Sequence, residues 1–328
     1  MNTVNTCVIG IDLGGTYIKG AALDPTGKIL SEGKIETEVI QGQKRVLTNV
    51  TRLIHDLWKM SRVKSLCGVG LGVPGALDFK KGQIIESPNF PGWNDFPIQS
   101  AVQKAVDVPV IIENDANAAA MGERWVGAAQ NLDNFLLITL GTGVGGGLVL
   151  GGKLWYGETG KGGEVGHMKI TADGPRCGCG STGCLEVYAS SPALVRIAKE
   201  EWSRAHRIGA VPPMQWKTSS DLAEAAQRHD PVAEAVFGKM AHYLGIGIAN
   251  VANLLDLNHF IISGGVSNAF HLFEQPLRQE VARYIFGMPP EEALRRIKIR
   301  RSLLGESAGM MGAAYLVLLA SEGKTGSF

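Results

Sequence analysis

Apolar residues along this chain fall into strand-like runs and helix-like spacings, separated by turns that are rich in glycine. From Cys7, the run CVIGIDLGGTYIKGAALDPTGKIL predicts an apolar strand, a Gly-Gly-Thr turn, a second strand and an Asp-Pro-Thr-Gly turn. Residues 44–62 carry apolar side chains at helical spacing and predict a helix. The run CGVGLGVPGALD that follows predicts a buried strand, broken at Pro74 and Gly75.

The second half of the chain continues this mixture of helices and strands. SSPALVRIAKEEWSRAH predicts a helix and GAVPPMQWKTSS a loop, after which Ser220 or Asp221 begins another predicted helix. A long helix is predicted from Pro231, because proline is favoured in the first helical turn. HFIISGGV and KIRRSLL predict strands, and GESAGMMGAAYLVLLA predicts a closing helix with small residues for tight packing.

The first strand-turn-strand pattern occurs twice. ITLGTGVGGGLVL at residues 138–150 aligns without a gap on IDLGGTYIKGAAL at residues 11–23, an offset of 127 residues. This repeat predicts a duplicated domain, with two glycine hairpins across a cleft from each other. Thr139 stands where the first copy has Asp12. Only the first copy therefore offers a carboxylate for a metal ion.

Composition narrows the class of protein. A chain of 328 residues with 45% hydrophobic content can bury a large core, and its length favours about two domains. The formal charge is +1 without a run of Lys or Arg, so we expect no nucleic-acid or membrane partner. No apolar run approaches the ~18 residues of a membrane span, and no signal peptide precedes the first predicted strand. We therefore expect a cytoplasmic protein.

Three of the five cysteines lie in one turn-rich segment with a histidine. His167, Cys177, Cys179 and Cys184 follow the pattern H-x9-C-x-C-x4-C, with glycines at positions 178, 180 and 183 that allow a tight fold. Three thiolates and one imidazole suit a closed tetrahedral zinc site of the structural kind. The alternative is a disulfide or a set of unrelated thiols. Cys7 and Cys67, which lie in apolar strand-like runs, are predicted to be core thiols.

Polar side chains also cluster where a predicted strand meets a predicted helix. VPVIIENDANAAAMGERW places Glu113, Asn114, Asp115 and Asn117 at that junction, where α/β folds bind ligands. The alternative for Asp115 is a helix N-cap. Earlier, ESPNFPGWNDFPI offers Asn89 and Trp93 either as ligand contacts or as part of a surface loop with a packed aromatic ring.

Five motifs in this order resemble the ROK family (repressor, open reading frame, kinase) of sugar kinases. They are IDLGGT at 11–16, ENDAN at 113–117, LGTGVGGG at 140–147, GEVGH at 163–167 and CGCGSTGCLE at 177–186. The resemblance covers essentially the whole chain. It implies an α/β protein with the two-domain actin/hexokinase-like ATPase fold, built from duplicated ribonuclease H-like domains around a central cleft. The small N-terminal domain is expected to span residues 1–120 plus about 305–328, and the larger domain residues 121–304 with the zinc-binding loop.

The resemblance also implies roles for individual residues. Asp115 is implied as the catalytic base, and Asn89, Asn114, Asp115, Glu164, His167 and Glu186 as sugar-binding residues. The implied ATP-binding residues are Asp12, Gly14, Gly15, Thr16, Lys19, Gly141, Thr142, Gly143, Gly264 and Gly265, with Asp12 the best carboxylate for Mg2+. His167, Cys177, Cys179 and Cys184 are implied as ligands of a structural zinc ion, which would fix the ring of His167 while its other nitrogen binds the sugar.

The activity that the resemblance implies is ATP-dependent phosphorylation of the primary hydroxyl of a hexose, with glucose favoured as in bacterial glucokinases. The alternatives are another hexose (fructose, mannose, N-acetylglucosamine or N-acetylmannosamine) or a sugar-sensing regulator of the same family. The regulator is disfavoured because the first predicted strand begins at Cys7, which leaves no room for a preceding DNA-binding domain. A zinc or thiol enzyme is disfavoured because four protein ligands leave no open coordination position. A homodimer or homotetramer is expected.

Overall fold

The computed structural model describes residues 6–87, 90–205 and 216–323. The strands are β1 (Thr6–Leu13), β2 (Tyr17–Leu23), β3 (Ile29–Glu36), β4 (Ser65–Val73), β5 (Ala76–Asp78), β6 (Gln83–Glu86), β7 (Val110–Asn114), β8 (Phe135–Leu140), β9 (Val144–Leu150), β10 (Lys153–Leu154), β11 (His259–Ser263) and β12 (Lys298–Arg301). The helices are α1 (Gln43–Ser61), α2 (Ile98–Val106), α3 (Asp115–Val126), α4 (Glu186–Ala189), α5 (Ser191–Ala205), α6 (Ser219–Gln227), α7 (Pro231–Leu255), α8 (Phe270–Tyr284), α9 (Pro290–Arg296) and α10 (Ala308–Ser321).

The chain divides into two compact units. The first contains the described residues up to Asp133, Gly147–Gly162 and those from Glu306 onward; the second contains Asn134–Gly146 and Gly163–Gly305. The two domains expected from the sequence, with boundaries near residues 120 and 305, stay a prediction. In the part of the chain that is described, no helix has the length and apolar character needed to cross a membrane.

The sheet of the first unit has the strand order β3-β2-β1-β4-β7. β1, β2 and β3 form an antiparallel meander, whereas β4 and β7 join β1 in parallel. Successive side chains of a strand point to opposite faces, so the odd residues of β1, such as Ile9 and Ile11, enter the hydrophobic cluster with Val50 and Leu57 of α1. The predicted helix over 44–62 and the predicted break at Pro74 are both confirmed.

The second five-stranded sheet has the order β10-β9-β8-β11-β12. β11 pairs in parallel with β8 and with β12, as β4 does with β1 and with β7 in the first sheet. β9 begins and ends 127 residues after β2, the offset of the sequence repeat. The predicted duplication is therefore confirmed at the level of topology. HFIISGGV forms the predicted strand as β11, and β11 is the counterpart of β4 in the second sheet.

Capping residues explain where the helices of the second unit begin. Asp230 accepts hydrogen bonds from the amides of Val232 and Ala233, so α7 starts at Pro231 as predicted. α6 starts at Ser219, just before the predicted start, because Thr218 and Asp221 form a reciprocal capping box. Part of the predicted loop GAVPPMQWKTSS lies outside the described residues.

The sheet of the first unit and α10 approach each other through bare backbone. A Cβ atom on Gly10 of β1 would overlap the carbonyl of Met310, and one on Gly70 of β4 would overlap the carbonyl of Ala313. The contact between α10 and α3 is equally close, because a Cβ on Gly312 would overlap the carbonyl of Ala118. Glycine at these positions therefore sets how closely α10 packs.

Replacing Gly312 by alanine should destabilise the protein by about 1–3 kcal/mol, since the added methyl group forces the backbones of α10 and α3 apart. The matched control is Gly238→Ala in α7, where an added Cβ meets nothing within 4 Å. That change should stabilise the protein by about 0.5–1 kcal/mol, because alanine has the better helix propensity. Melting temperatures check both. A melting temperature of Gly312→Ala equal to that of the parent would contradict the close packing of α10 on α3.

Candidate active site

The first glycine turn lies at the end of β1, where the amide of Gly14 donates to the carbonyl of Tyr17 at 3.0 Å. Asp12 precedes the turn, and its carboxylate lies against Gly309 in the first turn of α10. Burial, and then the negative charge of Asp115, raise the pKa of Asp12 to about 6, against a smaller opposing effect of Lys19. Asp12 and Asp115 therefore act on each other electrostatically within one unit, an arrangement that a cation would stabilise.

Lys19, predicted as an ATP ligand, forms an ion pair in this region. Its Nζ lies 2.5 Å from the carboxylate of Glu306, which stands just before α10. Lys19 is mostly covered, whereas the side chain of Glu306 is largely exposed. The pairing holds the pKa of Glu306 below its ordinary value. The ammonium of Lys19 is therefore held beside the turn.

The junction of β7 with α3 presents Asp115 at the first helical position. The N-cap is Asn114, whose Oδ1 accepts from the amides of Ala116 at 3.0 Å and Asn117 at 3.3 Å. The alternative interpretation of Asp115 as the N-cap is therefore wrong. Asn114 thus accepts from the amides at the second and third helical positions, as an N-cap does, while Oδ1 of Asp115 accepts from the amide of the next residue, Ala116, at 2.8 Å.

Glu113 was predicted as part of this polar cluster without an individual role, and it is the most enclosed carboxyl at the junction. Its Oε1 accepts from the Asn114 amide at 2.9 Å and from Nδ2 of Asn117 at 3.0 Å, and its Oε2 accepts from the Tyr156 hydroxyl at 2.6 Å. Burial raises the pKa of Glu113 to about 7, although these hydrogen bonds oppose the shift. Glu113 thus fixes the backbone on which Asn114 and Asp115 stand.

In the second unit, the second glycine turn is built differently from the first. The Gly141 amide donates to the carbonyl of Gly143 at 2.9 Å, and the amide of Ser191 donates to the Gly141 carbonyl at 2.7 Å. Gly264 has a φ of +83°, and a Cβ there would meet the backbone of Leu140 at 2.5 Å. The structure therefore brings the predicted nucleotide residues Gly141, Gly143 and Gly264 together. Thr142 at the tip of the turn is exposed, and Gly265 has open space beside its Cα.

Glu186 connects this turn to the cysteine loop. Its Oε2 accepts from the Val144 amide at 3.1 Å, and its Oε1 lies 3.4 Å from Sγ of Cys177. Glu164 lies on the other side of His167, with its carboxylate 3.9 Å from Nε2. The predicted sugar residues of this unit thus lie close together. The Glu164 carboxylate lies near the His167 ring, and the Glu186 carboxylate lies near the Cys177 thiol, which itself lies near that ring.

The predicted metal ligands converge. The ligand atoms of His167, Cys177, Cys179 and Cys184 all lie within 4.8 Å of one another. Nδ1 of His167 is 3.7 Å from Sγ of Cys177, and the Sγ atoms of Cys179 and Cys184 are also 3.7 Å apart. A tetrahedron with Zn–S bonds of ~2.3 Å has edges of ~3.8 Å, so the four side chains fit a tetrahedral metal ion.

The loop around this cluster needs glycine at two of the three predicted positions. Gly180 has a φ of +89° and Gly183 a φ of +65°, values in the left-handed region that favours glycine. The turn is closed by the Cys177 amide, which donates to the carbonyl of Ser181 at 2.7 Å. Lys169 adds a positive charge, with Nζ 2.8 Å from Sγ of Cys184. All five cysteines are free thiols in the structure, and three of them converge with His167.

Three other expectations have different outcomes. Asn89 lies outside the described residues, so its predicted sugar contact stays a prediction. Trp93 is 1% exposed and packs against Phe90 and Phe96, which supports the interpretation of a packed aromatic ring. The prediction that Cys67 is a core thiol is wrong: Cys67 is exposed, because the first residues of β4 alternate between exposed and buried positions.

The buried carboxyl of Glu113 predicts a pH-dependent stability. Because its pKa of about 7 in the folded chain exceeds the ordinary 4.5, the folded chain binds this proton more tightly than the unfolded chain. Its contribution to stability is therefore complete below pH 4.5 and is lost as the pH rises to about 7. At about 1.4 kcal/mol per pKa unit, the loss is at most roughly 3 kcal/mol.

Glu113→Gln mimics the protonated carboxyl and should remove this dependence. The free energy of unfolding of the parent minus that of the variant should fall between pH 5 and pH 8, and the other carboxyls cancel because both proteins carry them. Chemical denaturation at four pH values measures the difference. A difference that stays constant with pH would show that Glu113 is ionised throughout.

Both the sequence and the fold of this chain are similar to those of known proteins. The model of the ROK family matches residues 8–320. The chain is 39% identical over 316 residues to a glucokinase of Halalkalibacterium halodurans, with 94% of each chain covered. The crystal structure of the ROK hexokinase from Thermus thermophilus matches with a TM-score of 0.82 and 36% identity, over 97% of this chain and 99% of that chain.

A second solved structure is similar over nearly the same length. The ROK family glucokinase from Streptomyces griseus, in complex with glucose and AMPPNP, matches with a TM-score of 0.78 and 36% identity, over 94% of this chain and 98% of that chain. These matches confirm the predicted α/β class and the actin-like ATPase fold. The chain belongs to the ROK family.

Proposed function

We propose that this protein transfers the γ-phosphoryl group of ATP to the primary hydroxyl of a hexose, with glucose as the preferred sugar. The observation that carries the proposal is the placement of Asp115 at the start of α3, within electrostatic reach of Asp12 at the first glycine turn. Similarity to a protein named glucokinase and to a glucokinase solved with glucose and AMPPNP supports both substrates.

Asp115 is the proposed catalytic base. Its carboxylate accepts the proton of the sugar hydroxyl as that oxygen attacks the γ-phosphorus, and the bond from phosphorus to the bridging oxygen breaks to release ADP. The backbone amides of Gly14, Gly15 and Thr16 are proposed to bind phosphate oxygens, with Lys19 beside them as a positive charge. Mg2+, held through Asp12, would neutralise charge on the phosphates when it is bound.

Sugar recognition is proposed for Asn114, Glu164, His167 and Glu186. Carboxylates and an imidazole suit this role, since they accept hydrogen bonds from several sugar hydroxyls. A site built to hydrogen-bond hydroxyl groups discriminates strongly between substrates. In the second unit, Gly141, Thr142, Gly143, Gly264 and Gly265 are proposed to contact the nucleotide.

We assign the cluster of His167, Cys177, Cys179 and Cys184 to a structural zinc ion. Zinc would fix Nδ1 of His167, which lies towards Cys177, and leave Nε2, which lies towards Glu164, for the sugar. It would also hold Glu186, two residues after Cys184, at the start of α4. Lys169 offsets part of the negative charge that three thiolates bring.

The test of the function is ADP release with Mg-ATP and a panel of glucose, mannose, fructose, N-acetylglucosamine and N-acetylmannosamine. Glucose should give the highest kcat/KM. Higher activity on a different sugar would keep the mechanism and change the substrate. Absence of ADP release with every sugar would favour a sugar-sensing regulator of the same family.

Asp115→Asn should lose at least about 100-fold in turnover, because general base catalysis contributes about 10²–10⁴-fold. Its affinity for the sugar should stay within a few fold of the parent. The matched control is Asp107→Asn, an exposed residue at the end of α2 whose positive φ of 53° asparagine also tolerates. If Asp115→Asn turned over at a rate close to that of Asp107→Asn, the assignment of Asp115 as the catalytic base would be contradicted.

The zinc proposal predicts about one zinc per chain in the purified protein. Cys179→Ser should lower the zinc content, the melting temperature and the glucose affinity, the last by about tenfold or more. Cys67→Ser, which changes an exposed cysteine of β4 outside the cluster, should retain zinc. Equal zinc contents in the two variants would refute the site. A zinc-free protein with intact folding and glucose affinity but no turnover would indicate a catalytic metal instead.

A further inference from the structure

Thr37, which follows β3, is a buried polar residue in contact with the first glycine turn. It is 0% exposed. Its Oγ1 donates to the carbonyl of Gly14 at 2.6 Å, and its amide donates to the carbonyl of Thr16 at 2.9 Å. One residue thus holds carbonyl groups on both sides of Gly15. The motifs that identified the turn do not include Thr37.

The hydrogen bond to the Gly14 carbonyl sets the direction of the next amide in the turn, that of Gly15. In a planar trans peptide the carbonyl and the N–H point in opposite directions. Because the Gly14 carbonyl is directed at Thr37, the N–H of Gly15 is directed away from it. Within residues 6–87, 90–205 and 216–323, the amides of Gly15 and Thr16 donate to no protein acceptor. Gly15 is half-buried and Thr16 is exposed, so both amides are accessible to a ligand, and a phosphate oxygen is an acceptor of suitable charge for them.

Thr37 is itself held from α1. Nδ2 of Asn49, a residue that is 0% exposed, donates to the Glu36 carbonyl at 3.2 Å and to the Glu38 carboxylate at 2.7 Å. Nε of Arg45 reaches the same carboxylate at 2.6 Å. Residues on both sides of Thr37 are therefore attached to a helix that packs in the core.

We propose that Thr37 is a positioning residue for the phosphates of the nucleotide. It acts through the carbonyls of Gly14 and Thr16, which it holds so that the amide of Gly15 is already directed towards the bound anion. An amide that needs no reorientation on binding costs less free energy to use. The inference rests on the proposed function, in that the anion is taken to be the phosphate chain of ATP.

The decisive variant is Thr37→Val, which keeps the shape and the backbone amide but removes the hydroxyl. One hydrogen bond contributes about 1 kcal/mol, so the KM for ATP and the Kd for a non-hydrolysable ATP analogue should rise by about five- to tenfold. The KM for the sugar should change by less than about twofold, and Thr37→Ser, which keeps the hydroxyl, should restore ATP affinity to within about twofold of the parent.

The matched control is Ser31→Ala. The Ser31 hydroxyl is also buried on β3 and donates to a backbone carbonyl, that of Leu57, at 2.7 Å. Its loss should lower the melting temperature as Thr37→Val does, but should leave the KM for ATP unchanged. A purely structural role of Thr37 predicts the same behaviour for both variants. Equal ATP affinities in Thr37→Val and the parent, or equal increases in both KM values, would overturn the proposal.

Hydrogen exchange on the unmodified chain gives a second test that does not require the variant to fold. Binding of the ATP analogue without sugar should slow exchange of the Gly15 and Thr37 amides together, because the two are joined through the turn. Unchanged exchange at both amides would refute the inference. Nucleotide binding is measured here without sugar, so a chain that binds ATP but phosphorylates no hexose would reject the proposed function and leave Thr37 testable.

Discussion

The first unit depends on the contact of α10 with β1, β4 and α3 through bare backbone. Gly10, Gly70 and Gly312 remove the side chains that would otherwise separate these elements. Gly309, in the first turn of the same helix, lies against the Asp12 carboxylate, so the position of α10 also sets the surroundings of that group. Close packing of this kind leaves little room for relaxation, because protein interiors are packed as densely as organic crystals. Part of the high glycine content is thus a condition for placing one carboxylate.

The two sheets share a topology but differ in the residues at the ends of their corresponding strands, β1 and β8. β1 and β8 occupy the same place in their sheets, and each is followed by a glycine turn. In the first copy Asp12 lies against α10, whereas in the second the Thr139 hydroxyl accepts from the Gly145 amide at 3.1 Å and so serves the turn itself. The first strand of each copy therefore ends differently: β1 contributes a carboxylate beside its turn, whereas β8 contributes a hydroxyl. The asymmetry seen in the sequence is one of chemistry, with the backbone topology retained.

The features that could be predicted from the sequence are those whose cause is local. The start of α7 follows from Asp230 and Pro231, and the convergence of His167 with three cysteines follows from cysteine and glycine spacing within one loop. Two contacts join residues that are far apart in the chain: that of the Thr37 hydroxyl with the Gly14 carbonyl, and that of the Tyr156 hydroxyl with the Glu113 carboxylate. No short sequence pattern predicts them. Exposure of Cys67 also depends on which face of β4 is covered, which the apolar run alone does not show.

The cysteine loop shows why a metal suits this part of the chain. The eight residues from Cys177 to Cys184 contain no helix or strand, apart from isolated bridges, and have few apolar side chains. Fixing the backbone of one residue costs about 1–2 kcal/mol, so ordering the loop costs roughly 8–16 kcal/mol. Burial of so few apolar groups cannot offset that cost, whereas a structural zinc site contributes about 10–16 kcal/mol. A zinc ion would thus supply the free energy that keeps His167 and Glu186 in place, which a hydrophobic core supplies for Asp12 and Asp115.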